Sequence, residues 1–148
     1  LNVEESLEAL HHRYPALLAM DCADCLPPNP PIAINLINYQ NAAYYGPISM
    51  GTPAQNFTVL MDTASSDYWL PSVYCKSTGC NGYNKYDPLV SETSRARGRY
   101  FTAKYYNATV EGVVGADQME WAGFSLPAQD FGWAVNITGT VRTDEFEF

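Results

Sequence analysis

The sequence predicts a mainly β domain preceded by a short helical segment. Eleven tyrosines and six phenylalanines among 148 residues favour β-sheet packing. From Ile32 onward, strand-like segments alternate with turns that contain glycine, proline or asparagine. Helical spacing of apolar residues occurs only near the start of the chain. We therefore predict a helical segment with a proline-rich linker over residues 1–31, followed by a β lobe over residues 32–148.

The helix is predicted over residues 2–18, where Asn2 can cap the first turn. Pro15 is expected to kink this helix or divide it in two. Residues 22–31 contain four prolines and are typical of a linker. The apolar stripe of the helix consists of Leu7, Leu10, Tyr14, Leu17 and Leu18.

The β lobe is expected to contain at least five strands. Their predicted bounds are Ile32–Ile37, Ala43–Met50, Phe57–Met61, Tyr100–Tyr106 and Thr109–Trp121. Turns are predicted at Gly51-Thr52-Pro53, at Asn81-Gly82 and at Gly123. The last residues, Val141 to Phe148, alternate weakly and are interpreted either as an edge strand or as a tail.

Composition excludes two classes of partner. A formal net charge of −8 argues against nucleic acid, because phosphate binding requires a basic surface. No segment approaches the roughly 18 uninterrupted apolar residues of a membrane-spanning helix, so we expect a soluble chain.

Cysteines and glycosylation sequons together favour a secreted protein. The four cysteines form two close pairs, Cys22/Cys25 and Cys75/Cys80, which suits local disulfides. Acceptor sequons begin at Asn56, Asn107 and Asn136. The chain begins with Leu1 and not methionine, so we expect a processed product or a fragment.

A zinc site is the alternative reading of the first cysteine pair. His11 and His12 lie near Cys22 and Cys25 in the sequence. The chain has one Cys-x-x-Cys pair in a secreted context, however, and a structural zinc site typically uses two such pairs. We therefore predict no metal and no cofactor, and interpret the histidines as part of a solvated helix face.

The segment Val59-Leu60-Met61-Asp62-Thr63-Ala64-Ser65-Ser66 is the main functional motif. Three apolar residues place Asp62 at the end of a strand, and small or hydroxyl-bearing residues follow in a tight turn. Peptide hydrolysis by carboxyl groups requires two of them sharing one proton. No second motif of this kind occurs in the chain, so a second carboxyl group must come from elsewhere.

The segment from Tyr44 to Thr63 resembles the N-terminal lobe of pepsin-like aspartic peptidases. The resemblance covers about 90 residues, between positions 40 and 134. It continues through Ser65-Ser66, Trp69, Pro71 to Cys75, Cys80, Tyr105, Gly112 to Asp117 and Phe131-Gly132.

The resemblance implies a role for each matching residue. Asp62 matches the catalytic aspartate, Thr63 the residue that braces the two lobes, and Ser65 a hydroxyl that hydrogen-bonds the carboxylate. Tyr105 matches the tyrosine of the β-hairpin flap that closes over substrate, and Trp69 its hydrogen-bonding neighbour. Cys75 and Cys80 match a family disulfide.

Four departures from the family pattern affect the expected activity. Ala64 replaces a glycine, which costs about 1–3 kcal/mol if the backbone there is strained. The flap tip reads Tyr106-Asn107-Ala108 in place of small, glycine-rich residues. The chain ends before a hydrophobic-Gly strand and before the second lobe. The N-terminal segment has the position of a pro-segment but lacks its lysines.

We therefore expect a secreted lobe that is not catalytic as a lone chain and acts as a binding or self-assembling unit through open sheet edges. The alternative is an acid endopeptidase, completed by a second chain, a homodimer partner or a C-terminal lobe, with a peptide or protein substrate. A third reading is a fragment of a longer protease.

Overall fold

The computed structural model describes residues 33–139, and these form a mainly β fold, as the sequence predicts. The seven strands are β1 (Ile37–Tyr39), β2 (Ala43–Met50), β3 (Gln55–Leu60), β4 (Trp69–Pro71), β5 (Arg95–Lys104), β6 (Ala108–Trp121) and β7 (Phe124–Gly139). A 3₁₀ turn occupies Thr78–Cys80. The predicted helix over residues 2–18, the linker, Cys22, Cys25 and the segment Val141 to Phe148 lie outside the described residues.

All seven strands belong to one sheet, built around the long antiparallel pair β6 and β7. The strand order is β1-β2-β6-β7-β4, with β3 paired to β2 and β5 paired to β6. The β1–β2 and β6–β7 connections are tight hairpins with positive φ angles at Gln40, Asn41, Ala122 and Gly123. No helix among residues 33–139 is long and apolar enough to cross a membrane.

Strand β4 is the exception to the antiparallel pattern, since it pairs with β7 in parallel. Trp69, Leu70 and Pro71 lie opposite Gly132, Trp133 and Ala134. The pairing is extended at both ends, because the Gly132 N–H donates to the Tyr68 carbonyl at 2.8 Å and the Ser72 N–H donates to the Ala134 carbonyl at 3.0 Å. This pairing attaches the loop between β3 and β4 to the centre of the sheet.

Two apolar clusters form the core of the described lobe. The first consists of Ile48, Met50, Phe57, Leu70, Tyr86, Phe131 and Trp133. The second consists of Cys75, Cys80, Ala103, Val110, Ala134 and Ile137, with Trp69, Phe101 and Tyr105 packed against it. Strand β7 contributes to both clusters, so it connects the two halves of the core.

Glycine is required where aromatic rings pack directly against the backbone of the sheet. A Cβ atom at Gly132 would lie 2.5 Å from the ring of Phe101, and one at Gly112 would lie 2.6 Å from the same ring. A Cβ at Gly115 would collide with the indole of Trp133. These three glycines therefore allow Phe101 and Trp133 to pack flat on strands β6 and β7.

The sequence-based strand predictions are correct for β2 and close for β3 and β6, and wrong in three places. Within the segment predicted as Ile32–Ile37, residues 33–36 are not strand, and β1 begins at Ile37. Strand β5 begins at Arg95, five residues before its predicted start. Strands β4 and β7 were not predicted at all. Most side chains in the first half of β7 are exposed and include Pro127, so the apolar alternation is absent there.

A buried carboxylate fixes the turn regions behind the sheet. Asp117 is 1% exposed. Tyr86 donates its hydroxyl to Oδ2 at 2.6 Å, Thr93 donates to Oδ1 at 2.6 Å, and the Gln118 N–H donates to Oδ1 at 2.8 Å. Burial opposes ionisation, but the hydrogen bonds from Thr93, Tyr86, Ser91 and Gln118 outweigh it and lower the pKa of Asp117 below its ordinary value of 3.8.

We predict that Asp117→Asn destabilises the lobe by about 3 kcal/mol at pH 7, because charge-assisted hydrogen bonds in the core are lost. The lowered pKa means that the Asp117 carboxylate stabilises the fold above the unfolded-state pKa, and that this contribution is lost as the pH falls through the folded-state pKa. The difference in free energy of unfolding, measured in urea, should therefore shrink below about pH 4.

Asp130→Asn is the matched control. Asp130 is 44% exposed and pairs with Arg97 at 2.9 Å and Arg99 at 3.3 Å. A surface pair of this kind contributes about 0–1 kcal/mol. Equal losses of stability in the two variants at pH 7 would contradict the role given to Asp117.

Candidate active site

Asp62 lies in the turn that follows strand β3. The strand ends at Leu60, and the Met61 N–H donates to the Tyr44 carbonyl at 2.9 Å, which extends the β2–β3 pairing to the edge of the turn. The Ala64 N–H then donates to Asp62 Oδ1 at 2.8 Å. The carboxylate is thus oriented by the backbone two residues ahead, while its side chain remains exposed to solvent.

Ala64, the residue that departs from the family motif, causes no left-handed strain in the described lobe. Positive φ angles at non-glycine residues between positions 33 and 139 occur at Gln40, Asn41 and Ala122, and Ala64 is not among them. Its methyl group is exposed. The expected cost of a strained backbone therefore does not arise, and the turn retains its hydrogen bond to Asp62.

Ser65 stabilises the same turn from the other side. Its Oγ accepts a hydrogen bond from the Asp67 N–H at 3.3 Å. The resemblance implies a hydrogen bond from the Ser65 hydroxyl to the Asp62 carboxylate. Among the described residues, the donor to this carboxylate is instead the Ala64 N–H. Ser65 remains beside Asp62 with a hydroxyl proton free to reorient.

Trp69 and Tyr105 form a hydrogen-bonded aromatic pair. The Trp69 Nε1–H donates to the Tyr105 hydroxyl at 2.8 Å, and the ring centroids are 6.4 Å apart. Trp69 begins β4, and Tyr105 follows the last residue of β5, so the pair joins the β5–β6 hairpin to the sheet. The geometry matches the flap contact that the resemblance implies.

One cleft brings together all five residues predicted for the site. Asp62, Thr63, Ser65, Trp69 and Tyr105 line a cavity of about 550 Å³. The described lining residues include two acidic side chains, Asp62 and Asp67, and no basic one. Among residues 33–139 there is no group of three or more side chains suited to hold a metal ion.

Sequence reasoning missed the apolar wall of the cleft. Tyr45, Met119 and Trp121 line it together with Leu60. The pairing of Tyr45 with Leu60 follows from the β2–β3 register, so a hairpin prediction over these strands could have found it. Met119 and Trp121 could not be found this way, because they reach the cleft through the non-local pairing of β2 with the end of β6.

Tyr68 is a further missed residue, on the floor of the cleft. Its ring packs against Phe131 at a centroid distance of 5.6 Å. Burial, with a smaller contribution from Tyr86, raises the pKa of Tyr68, so the phenol stays neutral. Its hydroxyl is buried without a hydrogen-bond partner among the described residues.

The cysteine pair predicted for this lobe is bonded. A disulfide joins Cys75 and Cys80 around the 3₁₀ turn. Ser77, inside the loop, accepts a hydrogen bond from the Ile137 N–H at 2.9 Å. The disulfide loop is thereby attached to β7, near the second apolar cluster.

The fold and the cleft define one lobe of an aspartic peptidase. Residues 43–146 match the family model described as Eukaryotic aspartyl protease, and the chain belongs to this family. It is 43% identical over 113 residues to cathepsin E of Mus musculus and 42% identical over 109 residues to cathepsin E-B of Xenopus laevis. Gastricsin of Callithrix jacchus is 41% identical over 104 residues.

The matches cover most of this chain and a minor part of each relative. They span 76% of this chain for the mouse cathepsin E, 74% for the Xenopus protein and 70% for the gastricsin. The same alignments span 28%, 28% and 27% of the relatives. The chain therefore corresponds to somewhat more than a quarter of their length.

We predict that Tyr105→Phe destabilises the lobe by about 1–2 kcal/mol, because the partly buried Trp69 indole N–H loses its acceptor. Thermal unfolding and tryptophan fluorescence of the folded protein report the change. Tyr106→Phe is the control, since the Tyr106 side chain is 100% exposed. A Tyr105 variant as stable as the Tyr106 variant would show that the Trp69 bond does not hold the hairpin in place.

Proposed function

We propose that this lobe forms one half of an acid endopeptidase cleft, with Asp62 as one of two carboxyl groups that share a proton. The observation that carries the proposal is that Asp62 and the hydrogen-bonded Trp69–Tyr105 pair line the same cleft. Asp62 supplies a carboxylate at the end of a strand, and the hairpin that bears Tyr105 supplies a cover. The part of the apolar wall formed by Met119 and Trp121 fits a peptide with large apolar side chains.

The chemistry requires a pair of carboxyl groups about 3 Å apart, of which one is ionised and the other protonated. The ionised group removes a proton from a water molecule, whose oxygen attacks the peptide carbonyl carbon. The protonated group donates its proton to the carbonyl oxygen, and in the diol that results the C–N bond breaks as the nitrogen takes the proton removed from the water. Asp62 is oriented for such a role by the Ala64 N–H, which leaves Oδ2 available to a second carboxyl group.

The described lobe supplies one suitable carboxyl group. Asp67 also lines the cleft, but no hydrogen bond joins its carboxyl group to that of Asp62 among the described residues. Both side chains are exposed, so neither is held in the low-dielectric setting that strengthens such a pair. We therefore propose that the lone lobe does not cleave peptides, and that another lobe or a second chain supplies the second carboxyl group.

An exposed apolar row beside Asp62 supports the addition of such a partner. Ile37 and Leu60 are 47% and 49% exposed, and both are in register with Tyr45 of β2. Because directly paired residues share a face of the sheet, these side chains form one continuous row across three strands. Contact through this row would place the partner next to the turn that holds Asp62.

A binding or self-assembling role without catalysis is the second candidate. The same apolar row and the exposed Asp62 favour this role, because an exposed apolar surface can bind a partner whether or not that partner supplies a second carboxyl group. We also propose a secreted location. The Cys75–Cys80 disulfide and the three sequons support it, since both suit an oxidising compartment.

The test is a peptidase assay on the full chain at pH values between roughly 2 and 6, where a carboxyl pair can share a proton. A statine-containing transition-state mimic serves as inhibitor, and the assay is repeated across protein concentrations that span the monomer–oligomer transition. Activity should appear with the oligomer and be lost in Asp62→Asn, because the pair then lacks its ionisable member. Asp67→Asn is the control and should retain activity.

Two results would contradict the proposal. If Asp67→Asn loses activity and Asp62→Asn retains it, the chemistry belongs to Asp67 and not to Asp62. The second result is an oligomer that forms through the apolar row but neither binds the mimic nor cleaves peptide at any of these pH values. This result would favour the non-catalytic candidate over the peptidase.

A further inference from the structure

The tip of the β5–β6 hairpin lies next to the cleft and is exposed to solvent. The last strand pair is Lys104 with Thr109, and the Tyr105 N–H donates to the Ala108 carbonyl at 2.8 Å. Tyr106 and Asn107 therefore occupy the two central positions of a tight turn. Both side chains are exposed, while the residues on either side are wholly or partly buried.

The backbone of this tip is fixed although its side chains are free. Gly139, at the end of β7, lies beside the hairpin tip in the same sheet, and a Cβ there would collide with the Asn107 carbonyl oxygen. Ala108 is buried and pairs with Gly139. The backbone at Asn107 is therefore in contact with β7, while the Asn107 side chain is exposed to solvent.

The side chains of the other two sequon asparagines form hydrogen bonds to residues on neighbouring strands. Asn136 lies on β7, is partly buried and donates its amide nitrogen to Glu111 Oε2 at 3.0 Å. That nitrogen is the atom that would carry a sugar. Asn56 is exposed on β3 opposite Ser49, and its amide oxygen accepts the Ser49 hydroxyl at 2.8 Å. Asn107 forms no such contact with the described residues.

We propose that Asn107 carries an N-linked oligosaccharide that covers the flap tip at the mouth of the cleft. In the transfer, the Asn107 amide nitrogen forms a bond to C1 of the first sugar and loses one proton. The bond between C1 and the diphosphate of a lipid-linked oligosaccharide donor breaks, and the lipid diphosphate leaves. Thr109 completes the acceptor sequence Asn107-Ala108-Thr109.

Tyr106 gives the attached sugar a surface on which to pack. Its ring is 100% exposed and lies next to Asn107 in the turn. The apolar face of the first sugar can cover part of this ring, which removes an exposed aromatic surface from solvent. Because Tyr105 lines the cleft two residues before Asn107, the oligosaccharide restricts which molecules reach the cleft from the hairpin side.

The test uses the full chain secreted from eukaryotic cells, with Thr109→Ala and Thr109→Ser as a matched pair. Both substitutions change the same side chain, but Thr109→Ser retains the acceptor sequence and Thr109→Ala abolishes it. Peptide mapping after enzymatic deglycosylation in ¹⁸O-labelled water identifies a modified asparagine. At Asn107 we expect ¹⁸O label in the wild type and in Thr109→Ser. We expect no label at Asn107 in Thr109→Ala.

The rate of cleavage by a chymotrypsin-type protease then measures how far the oligosaccharide shields the hairpin tip. Exposed loop tips are preferred sites of nicking, so cleavage after Tyr106 should be about tenfold slower in the glycosylated wild type than in Thr109→Ala. This readout does not depend on peptidase activity of the lobe. An unmodified Asn107 in the secreted wild type, or equal cleavage rates after Tyr106 in glycosylated and unglycosylated protein, would overturn the proposal.

Discussion

The parallel pairing of β4 with β7 is the contact on which the cleft depends. It ties the loop that bears Asp62 to the strand that contributes to both apolar clusters, through hydrogen bonds at Gly132 and Ala134. Ser72 reinforces it from a buried position, since its hydroxyl donates to the Ala134 carbonyl at 2.8 Å. Trp69 is fixed by this pairing, and through its bond to Tyr105 it holds the β5–β6 hairpin over the cleft. Without β4 on β7, the carboxylate, the indole and the hairpin would have no common support.

The site combines a well-supported scaffold with an incomplete pair of carboxyl groups. Asp62 is oriented by a backbone N–H, and Ala64 fits the turn without left-handed strain. Asp62 and the apolar row beside it are exposed, and we propose that another lobe or chain covers this surface. The buried hydrogen bond from Tyr86 to Asp117 of β6 stabilises the core of the lobe.

The sequence predicts the mainly β fold class, and the residues that it proposes for the site line one cleft, but it predicts the individual strands less well. Local motifs identified Asp62, Trp69 and Tyr105, because their spacing along the chain resembles a known family. Strands such as β4 and β7 could not be predicted, since a three-residue strand has no period and β7 is apolar only where it meets the core. The wall residues Met119 and Trp121 depend on a pairing between strands about 70 positions apart, which no local pattern contains.

The most direct test of the central claim is the distance from the Asp62 carboxyl group to the nearest carboxyl group of another lobe or chain. It should be measured in a structure of the assembled protein bound to a statine-containing peptide. Our account predicts a second carboxyl group about 3 Å from Asp62, close enough to share a proton. A peptide bound in the cleft with every other carboxyl group beyond hydrogen-bond reach of Asp62 would contradict it.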